Sequence, residues 1–359
     1  MIRRPDLLPR PKRNAFDLPG RRRPSRERRS RFAAAVLTAA LSWLLALGSH
    51  AELPATSALL DELGVSASEK AQIQSGSLIK HSIKPTSDRE ITTGIAFAVP
   101  IGPSELLADA KKDLFDAVDP TMISYGQVSD PAQPADFAKL VLRPDQLKAL
   151  RAAEPGDDFQ RSTSEIAKFE KLGPGASDEA ITQAVREMLA ARANAYRKRG
   201  LAGTEPYALS SDTQRSPADE IKAATQAAVL LEKYAPETYA YLLDFPKGAP
   251  TGAQSAFRWS FFEGHGVPTI VLTHMLMIPD GDAWILAKRQ YYVSSGYNAE
   301  QEVGSFLPEK NGGTVVVYVN RTSTDQVTGF GGSAKRSIGS SLLASQIEAL
   351  FEKARERAK

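Results

Sequence analysis

The sequence predicts an α+β fold in which a curved antiparallel sheet packs on a long C-terminal helix, with additional central helices. Three observations predict it. Strand-like segments at 77–83 and 89–99 are typical of a hairpin. A series of strand candidates begins near residue 257, and an amphipathic helix of about 336–357 ends the chain. This order of elements argues against a parallel, doubly wound sheet.

The N-terminal part of the predicted domain contains short helices and this hairpin. Residues 56–75 have apolar side chains at helical spacing, which predicts one or two short helices. Pro85-Thr86-Ser87-Asp88 between the two strands has the composition of a turn. A further helix is expected to open at Pro103 and to run to about Val118.

A helical insertion is predicted at about 177–245. Ser177 and Ser216 are good N-caps, and Pro217 suits the first helical position. The predicted helices cover residues 177–199, 216–234 and 236–244. Residues 130–176 are less regular, with a short strand expected at Leu140–Leu142 and a short helix at 145–153.

The last third of the chain changes to a strand-rich pattern. The strand candidates are residues 257–262, 269–278, 284–293 and 314–320. Pro279-Asp280-Gly281-Asp282 between the second and third is a strong hairpin signal. The buried face of the terminal helix is expected to carry Ile338, Leu342, Leu343, Ile347, Leu350 and Phe351.

The first 51 residues predict a signal peptide with a long basic n-region. Residues 1–31 are rich in Arg, an uncharged apolar run reaches Leu47, and Ser49 and Ala51 occupy the small-residue positions before cleavage. We therefore predict cleavage after Ala51, one α+β domain at 52–359, and a periplasmic or secreted location. Retention of the segment as a membrane anchor is the main alternative, although the run is shorter than the ~20 residues of a spanning helix.

Composition excludes several classes of function. Residues 1–51 hold 12 of the 45 basic and 3 of the 42 acidic residues, which leaves 33 basic and 39 acidic residues, a net charge of −6, in the predicted mature part. A nucleic-acid partner needs a basic surface, so none is expected. The chain has no Cys, which excludes disulfides and thiol catalysis.

The element order over residues 77–357 resembles the helix-grip architecture of START-like lipid-binding domains, and that resemblance implies a ligand cavity between the sheet and the terminal helix. A second set of residues resembles a family of uncharacterised exported bacterial proteins. The set is Arg258-Trp259-Ser260-Phe261-Phe262, Thr273-His274, Arg289-Gln290-Tyr291-Tyr292 and Val319-Asn320-Arg321-Thr322, with Asp325 and Gly329. That family has a Cys pair near the segment matching Ala153–Asp158, which is absent here, and it implies no established activity.

No catalytic motif or metal site is recognised in the sequence. The three His residues after residue 51 lie outside any His-Glu-x-x-His motif, and no Gly-x-Ser-x-Gly nucleophile elbow occurs. His81 is expected to be structural and His265 to lie in a turn. The Gly-rich segment 329–334 is expected to be a flexible loop, and Asp280-Gly281-Asp282 is expected to be a turn and not a calcium loop. No cofactor is expected.

The candidate ligand-binding residues are Trp259, His274, Arg289, Tyr291 and Asn320. His274 alternates with the apolar residues Leu272 and Leu276, so it would give an apolar pocket one polar anchor. Arg289 is expected to pair with an internal acid such as Asp325, with contact to a ligand head group as the alternative.

We expect an exported protein that binds a lipid or another hydrophobic small molecule, with membrane contact only through an uncleaved N-terminal segment. Two alternatives stay open. One is an envelope interaction or structural protein without a small ligand. The other is an enzyme, for instance a hydrolase, in which His265 or His274 lies in a cleft beside a Ser or a carboxylate.

Overall fold

The fold is described from a computed structural model, which defines residues 53–111, 119–156, 158–264, 267–329 and 331–357. Residues from Ala51 onward form one compact unit. The predicted signal peptide and its cleavage site after Ala51 lie outside the described residues. Within the described ranges, no helix is long and apolar enough to cross a membrane.

Helices precede, interrupt and follow the strands. They are α1 (Thr56–Glu62), α2 (Ala67–Gln74), α3 (Pro103–Lys111), α4 (Pro144–Ala152), α5 (Thr163–Leu172), α6 (Asp178–Arg199), α7 (Pro217–Gln226), α8 (Val229–Tyr234), α9 (Pro236–Asp244) and α10 (Gly332–Arg357), with short 3-10 helices at Pro134–Phe137, Gly200–Gly203 and Asp325–Val327. The predicted caps form, because Ser177 Oγ accepts from the amide of Ala180 at 3.2 Å and Ser216 Oγ accepts from that of Asp219 at 3.2 Å.

One large antiparallel sheet carries the fold. Its strands are β1 (Ile79–His81), β2 (Glu90–Val99), β3 (Met122–Gln127), β6 (Gln254–Gly264), β7 (Val267–Asp280), β8 (Ala283–Val293), β9 (Ala299–Pro308) and β10 (Thr314–Ser323), in the spatial order β1-β2-β10-β9-β8-β7-β6-β3. A separate two-stranded ribbon pairs β4 (Tyr207–Ala208) with β5 (Gln214–Arg215). Strands β6 to β10 follow one another as a meander, and β2 pairs with β10 along its full length.

The predicted α+β class, the N-terminal hairpin and the C-terminal antiparallel strands are confirmed. Strands β3 and β9 were not predicted. The strand expected at Leu140–Leu142 is wrong, because Leu140 and Leu142 are buried anchors of an irregular segment in which Val141 is 73 % exposed. The helix expected at 216–234 is interrupted between α7 and α8.

The two faces of the sheet pack against different elements. Successive strand residues point to opposite sides, so we call one side the His274 face and the other the Met275 face. The His274 face lies in one large apolar cluster with α6, which contributes Tyr196. On the Met275 face, Leu107 of α3 and Ile347 of α10 join the apolar strand residues.

α10 contacts the edge of the sheet formed by β1 and β2. Thr93 Oγ1 donates to the carbonyl of Ser340 at 3.1 Å, and Lys80 forms an ion pair with Glu348 at 2.7 Å. The buried face predicted for this helix is partly wrong. Ile338 and Leu342 are 62 % and 51 % exposed, whereas Leu343 and Ile347, which were also predicted, face the apolar cluster. The side chains of Leu350 and Phe351 lie outside the described set.

Candidate functional site

A belt of buried and half-buried polar side chains crosses the Met275 face. We call it the polar belt, and its members are Arg258, Thr273, Lys288, Gln290, Glu300, Glu302, Asn320 and Thr322. Hydrophobic cores seldom contain so many ionisable groups, because each must find a partner when it leaves water. The belt is therefore the candidate functional site.

Strand register brings the belt together. In one row, Arg258 lies opposite Thr273, Thr273 opposite Gln290, Gln290 opposite Glu300, and Glu300 opposite Thr322. In the next row, Lys288 lies opposite Glu302, which lies opposite Asn320. Residues two apart on one strand share a face, so Glu300 and Glu302 are neighbours on β9.

Hydrogen bonds tie the belt to its two carboxyl groups. Gln290 Nε2 donates to Glu300 Oε1 at 2.6 Å, and Thr322 Oγ1 lies 2.7 Å from Glu300 Oε2. Lys288 forms an ion pair with Glu302 at 3.1 Å. Thr322 Oγ1 also lies 2.8 Å from the Asn320 Oδ1 atom, so its single proton is shared between two acceptors.

Glu300 is poised to carry a proton near neutral pH. Glu300 is only 8 % exposed. This burial raises the pKa of Glu300 to about 7, and the neighbouring Glu302 adds to the rise. A carboxyl group with such a pKa is both a hydrogen-bond donor and an acceptor in a neutral solution. Strongly perturbed groups of this kind are concentrated at functional sites.

Two tyrosines border the carboxyl pair. Burial raises the pKa of Tyr297 and of Tyr318, and the charge of Glu300 and Glu302 adds to both rises. The Tyr297 hydroxyl donates to Gln290 Oε1. Both phenols therefore remain protonated and offer hydroxyl groups beside the belt.

The same sheet face becomes apolar beyond the belt. The apolar cluster there contains Met275, Met277, Leu286, Phe306 and Val316 from the strands. Gly304 lies at the boundary, and a Cβ atom added to it would meet only ordinary contacts, with Phe306 Cε1 at 3.5 Å and Tyr318 Cδ2 at 3.9 Å. The face therefore offers a polar end and an apolar end, with a glycine at the boundary between them.

Of the five ligand-binding residues predicted from sequence, Asn320 lies in the polar belt, and the other four lie on the opposite, His274 face. Trp259 is fully buried and its Nε1 donates to the carbonyl of Asp136 at 2.9 Å. Tyr291 stacks on Tyr196 with ring centroids 4.0 Å apart. These two aromatic residues fill the core under the helices.

His274 lies between a serine and a tyrosine on that face. Its Nε2 is 2.6 Å from Ser255 Oγ, and its Nδ1 is 3.1 Å from the Tyr196 hydroxyl. The Tyr196 oxygen lies beside the Arg289 guanidinium, so the Tyr196 proton points away from that charge and towards Nδ1. We therefore assign the single imidazole proton to Nε2, which donates to Ser255.

This tautomer does not activate the serine. A general base for Ser255 would need a free lone pair on Nε2, and a catalytic histidine is usually oriented by a carboxylate. Burial, followed by the nearby charges of Arg289 and Arg197, also lowers the pKa of His274 well below its ordinary value. The Ser255–His274 pair is a structural hydrogen bond in this arrangement.

The expected pairing of Arg289 with Asp325 is wrong. Asp325 is bound by Arg215, with contacts of 2.7 and 3.0 Å between their nitrogen and oxygen atoms. Arg289 instead donates to Gln301 and Thr225, because the register places Gln301 directly across from it on β9. The positive charge of Arg289 is therefore held by neutral groups.

The other candidates from the sequence lie in a turn, at the start of a helix or outside the described residues. Asp280-Gly281-Asp282 forms the β7–β8 turn, and Asp280 Oδ2 accepts from the amide of Leu53 at 2.7 Å. Among the described residues, no group of three His, Asp or Glu side chains is arranged to hold a metal ion. α10 begins inside the Gly-rich segment 329–334, and His265 lies outside the described residues.

A small cleft opens between α7 and strands β9 and β10. Its lining includes Glu220, Ala224, Gln301 and Arg321, and the enclosed part has room for about one water molecule. Sites for drug-sized ligands hold about 300–1,000 Å³, so this cleft is too small for a lipid.

The sequence contains only a weak signal for the polar belt. Glu300 and Glu302 share one face of β9, but the residue between them, Gln301, is also polar, so this stretch lacks the alternation that marks a strand. No protein-family model, no curated protein and no solved structure matches this chain.

Proposed function

We propose that this protein is an exported binding module for a small amphiphile, with the ligand's polar head at the polar belt and its apolar part on the neighbouring strand residues. One observation carries the proposal. On a single face of the sheet, Glu300, Glu302 and Asn320 lie next to an apolar cluster that contains Met275 and Phe306. Pockets with an apolar lining and a few convergent polar groups are typical of small-molecule sites.

The charges of the belt favour an uncharged or zwitterionic head group. Arg258 and Lys288 supply two positive charges, and Glu302 with the partly ionised Glu300 opposes them. A strongly charged head group would upset this balance inside a poorly solvated site. Hydroxyl, amide or ester groups would instead find both donors and acceptors here.

The apolar side of the face suits a flexible tail. Met275 and Met277 have unbranched, polarizable side chains that adapt to irregular shapes. We extend the proposal to a helix-grip arrangement, in which α10 and α3 flank the strands and the ligand lies between helix and sheet. The contacts of Ile347 and Leu107 with the apolar cluster support the flanking position of the two helices.

Export is part of the same proposal. The basic leader, the apolar run and Ala51 at the end of residues 1–51 support cleavage and delivery to the periplasm or the medium. N-terminal sequencing of the mature protein from fractionated cells tests it. The proposal fails if the full chain is found in the cytosol with its first residues intact.

Ligand binding is tested by extracting the purified protein with organic solvent and by native mass spectrometry. We expect a co-purifying species that is lost in Gly304→Leu, which adds a bulky side chain at the boundary between the polar and apolar ends, and in Asn320→Leu, which removes a head-group contact. Glu62→Gln is the control, since Glu62 forms an ion pair with Lys233 at the surface of the protein. Equal ligand content in all variants, or none in the wild type after gentle purification, contradicts the proposal.

A second candidate function is acid–base catalysis at the carboxyl pair. The specific observation is that burial raises the pKa of Glu300 to about 7 while Glu302 is held by Lys288. Two carboxyl groups in different environments can divide the roles of acid and base. Turnover on a hydrolase panel that is lost in Glu300→Gln, with binding retained, would favour this function over simple binding.

A further inference from the structure

Arg289 on β8 is a buried cation whose charge no carboxylate balances among the described residues. Its side chain is 0 % exposed. Nε donates to Gln301 Oε1 at 2.9 Å and Nη2 donates to Thr225 Oγ1 at 3.0 Å, so neutral groups hold one edge of the guanidinium. Nη1 has no hydrogen-bond partner in the described part of the protein. Its N–H donors on the other edge are therefore left without an acceptor.

Three other buried arginines of the described chain have partners for their charge or for their donors. Arg192 pairs with Glu165 through contacts of 2.7 and 2.6 Å, and Arg321 pairs with Glu90 at 2.9 Å. Arg161 donates to four backbone carbonyl oxygens at 3.0 to 3.3 Å. A buried charge without a counter-charge is costly, so Arg289 stands apart within its own molecule.

The side chains nearest to Nη1 are neutral. The Tyr196 hydroxyl lies beside the guanidinium, and burial raises the pKa of Tyr196 although the nearby Arg289 lowers it. Burial and then the charge of Arg289 lower the pKa of His274. Burial also raises the pKa of Tyr241, which feels the same guanidinium. These groups offer hydroxyl contacts and no negative charge.

We propose that Arg289 Nη1 marks a binding site for one small monovalent anion, of the class of halides and short carboxylates, on the His274 face. One negative charge matches one guanidinium, and a charge-assisted hydrogen bond would replace the missing partner. The anion must be small, because Arg289 is fully buried and the neighbouring Tyr196 is stacked against Tyr291 and Phe245.

This site is independent of the polar belt, since the two lie on opposite faces of the sheet. Crystals of the full chain soaked in sodium bromide test it directly by anomalous diffraction. We expect a bromide within about 3.5 Å of Nη1, the outer range of a hydrogen bond. Parallel soaks in formate show whether a carboxylate takes the same place, and either occupant supports the proposal.

Melting temperatures in bromide, formate and acetate provide the solution test. At ten times the dissociation constant, bound anion should raise the melting temperature of the wild type by about 3 °C. Arg143→Met, which removes a surface arginine paired with Glu263, should respond in the same way. Arg289→Met should not respond, and Arg289→Lys, which keeps the charge in case the methionine variant does not fold, should respond more weakly than the wild type.

Two results overturn the proposal. One is the absence of anomalous or formate density at Nη1 together with equal melting shifts in the wild type, Arg143→Met and the Arg289 variants. The other is density in the crystal without any difference between variants in solution, which would show an adventitious ion only.

Discussion

Replacing each of two buried arginines by methionine should change the unfolding free energy by very different amounts, because their partners differ. Arg192 is buried against Glu165, and the side chains are 5 % and 6 % exposed. Arg192→Met would leave the Glu165 carboxylate in the core with its charge unpaired. Arg289→Met would remove a charge that has no carboxylate partner among the described residues, and Gln301 would keep its 2.8 Å contact with Thr225.

The magnitudes follow from these contacts. Breaking a buried ion pair by removing one partner costs about 3–5 kcal/mol, and the guanidinium of Arg192 also lies 4.5 Å from the ring centroid of Tyr292, a contact that adds about 0.5–2 kcal/mol. We expect Arg192→Met to lose about 4 kcal/mol of unfolding free energy. We expect Arg289→Met to change it by less than about 1 kcal/mol, or to increase it.

Urea unfolding in a buffer with low anion concentration, followed by circular dichroism and tryptophan fluorescence, measures both changes. Arg143→Met, at a surface pair, is the control and should stay within about 0.5 kcal/mol of the wild type. The reasoning is refuted if Arg289→Met loses as much stability as Arg192→Met, because Arg289 would then be a satisfied structural residue.

Three further predictions test the site and the core. Burial raises the pKa of Glu300 to about 7 in the folded protein, whereas in the unfolded chain it is about 4.3. The protonated Glu300 therefore contributes fully to the unfolding free energy below about pH 4.3, and this contribution is lost as the pH rises through about 7. Wild-type stability should therefore fall by about 2–3 kcal/mol between pH 4.5 and 8 relative to Glu300→Gln, and parallel pH curves would contradict this. Ser255→Ala should leave any hydrolase activity unchanged, since His274 donates to that hydroxyl, and loss of activity would show the assigned tautomer to be wrong. Trp259→Phe should cost about 1 kcal/mol in urea unfolding, because it leaves the half-buried Asp136 carbonyl without its donor, and a change below about 0.3 kcal/mol would argue against that contact.

Alternation and turn residues were enough to predict most strands. The β7–β8 hairpin was readable because Pro279–Asp282 separates two apolar runs, and these runs are buried in the sheet. β9 (Ala299–Pro308) was not predicted because it includes Glu300, Gln301 and Glu302, which lower the apparent hydrophobicity of the segment. Polar residues on a strand face covered by other elements cannot be distinguished from solvent-facing ones by sequence alone.

The site was predicted in part, for a related reason. The sequence marked Asn320 and Arg289 as unusual among apolar strands, but it did not show that they lie on opposite faces of one sheet. That difference depends on register between β8, β9 and β10, which are paired by tertiary structure. The predicted partner of Arg289 was wrong because Arg215, on the β4–β5 ribbon, binds Asp325 instead.

The position of β2 has a consequence for biosynthesis. β2 ends at Val99, yet its long pairing partner is β10, which begins at Thr314 and is made more than two hundred residues later. Until the last strand has emerged from the ribosome or a translocation channel, residues 90–99 have only the three-residue β1 to pair with. The nascent chain therefore cannot complete this sheet until almost the whole polypeptide has been made.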